Sequence, residues 1–391
     1  MRGEPKPATF AELSLHYIGD EALLLDSTRH RLYGLNSCAA LIWRGLKSGI
    51  SPDAVALLLN EQFDVPMKTA ASHVAAVLMQ YDAPALDHEG SRPASADRRP
   101  QPRPSRRSEA CAVGTYSLVD SCFRLHYGSA RLFDEIHPLL RHRAIADNES
   151  VPNIIDVAVA SDDGGVAVFI GQEPIASCRA LEQAAAMVRA CLTELAVMHS
   201  GALCALHAGA LCRQGRALLL PGDAGFGKST LSAGLAARGF AMLSDDTTLI
   251  SGRSRVVRCL PAGLCIKRGA CTVLQRHYPQ LPSLREWRRP DGKLVRYLTP
   301  ERDVPWAPGD AAVAVHWIVF PHYGPDRPTA LRPLARHEAL PRLLRGTYFV
   351  SGTLDKHNLE RFIAWIERID CFDLPLSSLD EAAELIDGLC Q

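Results

Sequence analysis

Two periods of apolar residues divide the first part of the chain. In "EALLLDSTRHRLYGLN", residues 21 to 36, two short apolar runs flank the polar segment Ser27 to His30, which predicts two strands joined by a turn. From Asn36 the period changes. Ala40, Leu41, Trp43 and Leu46 recur at helical spacing and the run stops at Gly49. Ser51 followed by Pro52 marks a second helix, with the serine placed to cap and the proline at the first helical position. "PMKTAASHVAAVLMQ", residues 66 to 80, predicts a third helix with Val74, Val77 and Leu78 on its inner face. A small winged-helix-like unit over residues 10–85 follows.

The pattern then breaks. "SRPASADRRPQPRPSRRSE", residues 91–109, has almost no apolar residue to offset its ordering entropy and predicts an extended linker. A longer domain, 110–390, is expected beyond it. "IIDVAVA" and "GVAVFI" predict short strands, and a helix is expected from Ala180 to about His199. "ALLLP" then ends a buried strand, residues 222 to 227 form a glycine-punctuated turn, and "KSTLSAGLAARG" starts a helix closed by Gly239. The next strand, Phe240 to Leu243, is followed by Asp245 and Asp246, after which "TTLI" is expected to resume it. No internal repeat is present. The fold class is α/β.

Composition narrows the partners. The 391 residues carry 43 basic and 43 acidic side chains, without the basic excess of a general nucleic-acid-binding surface. No apolar run approaches the roughly 18 to 20 residues that span a bilayer, and the start, MRGEPKPATFAEL, lacks the apolar core of a secretory signal. The twelve cysteines form no CxxC pair, and the series Cys259, Cys265 and Cys271 matches no zinc spacing. A cytoplasmic protein with free thiols, binding neither nucleic acid nor membrane, is expected.

The chemistry is concentrated in "GDAGFGKST". It meets the Walker A pattern GxxxxGK[ST] in full and in the required strand, loop and helix order. Gly222, Gly225 and Gly227 let the backbone turn so that the amides of the loop, through Asp223, Ala224 and Phe226, face a phosphate at the helix N-terminus. Lys228 suits the β and γ phosphates, Ser229 a magnesium ion and Thr230 the α phosphate. Asp245 and Asp246, near the end of the neighbouring strand, can divide metal binding and proton abstraction. His207, in "LHAGAL", is expected on the strand before the loop's own, where an imidazole can stabilise transferring charge.

Two resemblances follow from these residues. The strand pair, the "YGLN" junction and Ile42-Trp43 resemble PqqD-like domains, which bind leader segments of precursor peptides. The resemblance implies that a leader adds as a strand to the edge Arg31 to Leu35, beside the helix Pro66 to Gln80. Lys68 as the sole fixed cation of that helix is thin for a DNA-binding alternative. Separately, His207, "GDAGFGKST" and Asp245-Asp246 resemble the HPr kinase/phosphorylase superfamily, in its HPr-kinase-related branch. "LPAGLCIKRG", "REWRRPDGKLVRYLTP" and "VFPHYGP" extend that likeness.

The second resemblance implies ATP- and Mg²⁺-dependent phosphorylation of a serine or threonine hydroxyl. It implies Asp246 as general base and Asp245 as metal support, with the reverse assignment open. The HPr kinases' Glu-x-Arg-Gly is "IKRG" here, so Lys267 or Arg268 is assigned to γ-phosphate charge rather than to metal. Their HPr-engaging C-terminal segment is also not recognisable, so HPr is not the expected substrate. Family members often assemble into rings, and a homo-oligomer stays open for this chain. Together the halves predict a precursor-peptide kinase that captures its substrate by the leader. A small-molecule hydroxyl kinase and a nucleotide-sensing peptide adaptor are the alternatives, and ATP is not distinguished from GTP.

Overall fold

The computed structural model describes residues 13–18, 21–26, 31–63, 65–82, 110–146, 154–162, 165–252, 254–299, 303–345, 347–351 and 354–391. The predicted turn Ser27 to His30, the linker 91–109 and the side chains of Leu78 and Gln80 lie outside the described residues. The chain is a mixed α/β protein that divides into two compact units. One takes in residues 1–92, 333–346 and 352–371, the other 93–332, 347–351 and 372–391.

The first unit is built on an antiparallel sheet, β1 (Leu13–Ile18), β2 (Glu21–Asp26) and β3 (Arg31–Leu35), in that spatial order. The sequence predicts a strand pair, to which β1 adds a third strand. Three helices follow: α1 (Ser37–Lys47), α2 (Pro52–Phe63) and α3 (Met67–Asp82). Asn36 caps α1 by accepting from the Ala39 amide at 2.9 Å, and Ser51 accepts from the Ala54 amide at 3.3 Å. Leu41, Ile42, Val55, Leu59, Ala70 and Val74 join the helices in one apolar cluster.

Strand register gives the sheet two faces. Leu15 lies opposite Leu24, which lies opposite Tyr33, and this face packs with Leu35, Ala40 and Trp43. The other face, with His16 opposite Leu23 and Leu23 opposite Gly34, meets two helices from far along the chain, Arg336–Leu344 and Lys356–Ile366. Those segments were expected within the 110–390 domain. They sit in the first unit because Leu340, Leu343, Leu359 and Phe362 need apolar cover, which that unit supplies. A groove of about 370 Å³ runs between β1 and Lys356–Ile366.

The second unit begins with a six-stranded sheet that includes Ala112–Leu118, Ser121–Tyr127, Ile154–Asp162 and Gly165–Ile170. Burial alternates strictly along Ser121–Tyr127, and Phe123, Leu125 and Tyr127 pack with the helices Ala130–Leu140 and Ala184–His199. The expected helix start at Ala180 is replaced by a 3₁₀ turn, Leu181–Gln183.

A second sheet carries the glycine loop. Its longer strands run in the order Ala241–Ser244, Ala208–Arg213, Arg216–Pro221, Val315–Tyr323, Asp370–Leu376. Helices Lys228–Ala237 and Leu379–Leu389 cover it through Leu231, Leu235, Leu379 and Ile386. Ala208 pairs with Pro221 and Ala210 with Ser244 in antiparallel ladders, while Leu219 pairs with Ile318 in a parallel one. The start of Ala208–Arg213 and the ends of Arg216–Pro221, Ala241–Ser244 and Val315–Tyr323 therefore meet at one edge. "TTLI" does not resume the aspartate strand. Thr248–Ile250 turns into another sheet, pairing with Cys204–Leu206 and Val257–Arg258.

Candidate functional site

The loop from Gly222 to Gly227 leaves Arg216–Pro221 at that shared edge and enters the helix Lys228–Ala237. Gly225 and Gly227 have φ of 98° and 90°, which L side chains rarely adopt, and a Cβ on Gly227 would lie 3.3 Å from Tyr323 Cβ. Asp223, Ala224 and Gly225 are exposed along the loop, and Phe226 is half-buried at its end. Ser229 and Thr230 fall on the first helical turn, whose leading amides have no intrahelical partner and attract anions.

Lys228 is buried, with a side chain only 5% exposed. Its ammonium lies 2.5 Å from Gly222 O, 3.2 Å from Asp223 O and 3.1 Å from His207 Nε2, which accounts for its three protons. Burial lowers its pKa from the ordinary lysine value, opposed by the charges of Asp246 and Asp245. His207 sits between the strands Cys204–Leu206 and Ala208–Arg213 rather than within a strand. Its Nε2 faces the Lys228 ammonium and its Nδ1 faces Asp246 Oδ1 at 3.6 Å.

The two aspartates occupy different environments. Asp245 is half-buried and accepts from the Ser229 hydroxyl at 2.9 Å and from the Cys265 amide at 2.8 Å. Burial first, then the neighbouring charge of Asp246, pushes its pKa up to about 6. Asp246 adopts the left-handed region, φ 64°, which aspartate tolerates better than most residues. Its carboxylate is 59% exposed and lies 3.6 Å from both the Lys228 ammonium and the His207 ring. One carboxylate is thus fixed to the loop helix, and the other faces solvent between a cation and an imidazole.

The structure brings His207, Lys228, Ser229, Asp245 and Asp246 together around the loop. Lys267 is exposed at the end of Leu264–Lys267, near enough for its charge to lower the Lys228 pKa. Arg268 is exposed in the following 3₁₀ turn, with no ion pair or hydrogen bond to the loop or aspartates among the described residues.

Sequence reasoning missed Cys265 and Arg189. Cys265 acts through its backbone amide, which no side-chain motif encodes. Arg189, on Ala184–His199, donates to Ala262 O at 2.7 Å and Gly263 O at 2.8 Å and lies over the Tyr297 ring at 4.5 Å. It holds the segment leading to Cys265, and its charge draws the Asp245 pKa downward. Cys265 itself is a poor thiolate, because burial raises its pKa. All twelve cysteines are unpaired.

The donor set suits a magnesium ion shared with phosphates, which needs only one or two protein oxygens. Ser229 and Asp245 supply that kind of pair. No helix among the described residues is long and apolar enough to cross a membrane.

Residues 21–83 match the family described as coenzyme PQQ synthesis protein D (PqqD). The chain carries a PqqD-like domain there, formed by β2, β3 and the three helices. No curated protein matches the chain.

Proposed function

We propose that the chain is an ATP-dependent kinase of the HPr-kinase-like P-loop type, phosphorylating a serine or threonine of a ribosomally made precursor peptide. The arrangement of Lys228, Ser229, Asp245 and Asp246 around the glycine loop carries this reading. Two carboxylates at one phosphate site, one tied to the helix serine and one open to solvent, suit two separate tasks.

Bound Mg²⁺ and ATP would supply the transferable phosphoryl group and a cation to neutralise its charge. The loop amides and Lys228 bind the phosphates, and Ser229 with Asp245 holds the metal side. Asp246 takes the proton of the incoming hydroxyl on its carboxylate oxygen. His207, whose Nδ1 faces the carboxylate at 3.6 Å, is a positioning residue for Asp246. Lys267 lies on the rim, where its charge steadies the anionic phosphates.

The PqqD-like domain supports the peptide as acceptor. A leader segment adds to the edge strand β3 beside α3, and this capture raises the local concentration of the core peptide at the phosphate site. The chain would work in a cytoplasmic pathway of peptide maturation. The test is incubation of the full chain with MgATP and the precursor peptide encoded beside its gene, read by mass spectrometry. A phosphopeptide that needs both the leader and Asp246 is expected. Equal transfer by Asp246→Asn overturns the assignment of the base.

A further inference from the structure

We propose that the exposed ring of Tyr323, whose backbone is bonded to the glycine loop at Phe226, is the platform on which the base of a purine nucleoside triphosphate stacks. This rests on the reading of the glycine loop as a nucleotide site and adds the part of the ligand that the loop does not contact.

Strand order gives the direction. The loop strand Arg216–Pro221 has two neighbours, Ala208–Arg213 and Val315–Tyr323. His207 precedes the first, and Asp245 and Asp246 follow the strand beyond it, so the groups suited to the terminal phosphates lie on that side. The nucleoside then leaves toward the other neighbour, which runs parallel to the loop strand and ends at the same edge with His322 and Tyr323.

That end has the form of a stacking surface. Tyr323 is 51% exposed, and among the described residues the only other Tyr, Phe or Trp side chains as open are Tyr17 and Tyr348. Its backbone is pinned to the loop, its amide donating to Phe226 O at 3.3 Å. Phe226 is held in turn: its ring lies 5.1 Å from that of His322, whose Nε2 is 3.0 Å from Asp373 Oδ1. Arg327 closes the same rim, its Cδ and Nε lying 2.9 Å from where a Cβ on Gly324 would be. A large aromatic left in water beside a phosphate loop costs hydration, and a purine base removes that cost by covering the ring.

The experiment measures equilibrium binding of ATP, GTP, CTP and inorganic tripolyphosphate, with magnesium, to the full chain. Tyr323→Ala should weaken the preferred purine nucleotide about 10- to 100-fold, CTP less, and tripolyphosphate less than about twofold. Tyr323→Phe should restore binding, and both variants should keep the wild-type melting temperature. The proposal is overturned if Tyr323→Ala binds ATP and GTP as the wild type does, or loses all four ligands equally. It is also overturned, with the loop reading intact, if wild type binds tripolyphosphate as tightly as any nucleotide. Binding of none of the four by wild type would instead overturn the loop reading itself.

Discussion

The polar side chains that meet at the glycine loop, His207, Lys228, Ser229, Asp245 and Asp246, come from one stretch of the chain. The sheet Leu13–Leu35 is covered instead by helices from Arg336–Leu344 and Lys356–Ile366. The loop is a local construction: one strand, one tight turn and one helix bring the lysine back onto the carbonyls that precede it. The N-terminal sheet takes its second layer from residues that have no sequence relation to it. Two regions of one chain thus differ in what perturbs them. On the proposed function, a change at the loop should alter phosphoryl transfer and leave the sheet alone, whereas a change at the sheet should alter stability and leave the glycine loop alone.

Lys228→Ala tests the first half of that contrast and carries the largest effect. It removes the cation that three acceptors share and that lies beside Asp246. Phosphoryl transfer should fall by about 10³-fold, the scale on which a single preorganised charge acts in such sites. Single-turnover measurement with saturating peptide would read it. Leader-peptide affinity, measured separately, should stay within about twofold; a parallel loss of both would show that the two regions are not energetically separate.

Gly34→Val tests the other half. A Cβ at Gly34 would lie 2.3 Å from the His337 carbonyl oxygen, and a backbone atom cannot move aside as a flexible side chain can. The helix Arg336–Leu344 must shift, and with it the contact of the His337 ring with the Glu21 carboxylate. A loss of about 2 to 4 kcal/mol is expected, seen as a lower melting temperature, with nucleotide affinity unchanged. The same packing bears on truncation. Deleting residues 1–90 would uncover Leu340, Leu343, Leu359 and Phe362, so an inactive truncated chain would report lost cover as readily as lost peptide capture. Competition by free leader peptide on the full chain is the cleaner discriminator.

These contrasts explain what could be read from sequence. The placement of the loop glycines, Lys228 and Ser229 was legible because their spacing belongs to one strand, turn and helix, and the aspartate pair because it directly follows the next apolar strand. Strand β1 was not. In "LSLHYI" His16 is buried and Tyr17 is 53% exposed, the reverse of what polarity suggests, because Lys356–Ile366 packs on the sheet face that carries His16. Arg189 was hidden for a related reason. It reads as one more charge on an amphipathic helix, and only the fold sets it against Ala262, Gly263 and Tyr297. Thr248–Ile250 misled because a strand interrupted by two aspartates and a strand that changes sheets have the same apolar pattern.

The smallest effect separates the two aspartates by pH. Asp245 has its folded pKa raised from 3.8 to about 6 by burial and by Asp246, so its ionised form is disfavoured in the folded protein. The stability this group contributes is therefore fully present below pH 4 and is lost as pH rises through about 6. Asp245→Asn does not titrate and can still accept from the Ser229 hydroxyl or the Cys265 amide. The variant should come nearest to wild type at about pH 3.5 and exceed it at pH 8 by about 1 to 2 kcal/mol, discounted for water reaching this half-buried residue. Thermal melts at the two pH values read the difference. Magnesium with nucleotide should reverse the order at pH 8, because a bound cation favours the carboxylate and only wild type has one to offer. A variant no more stable than wild type at either pH would mean that Asp245 ionises without cost, and that its two hydrogen bonds outweigh its burial.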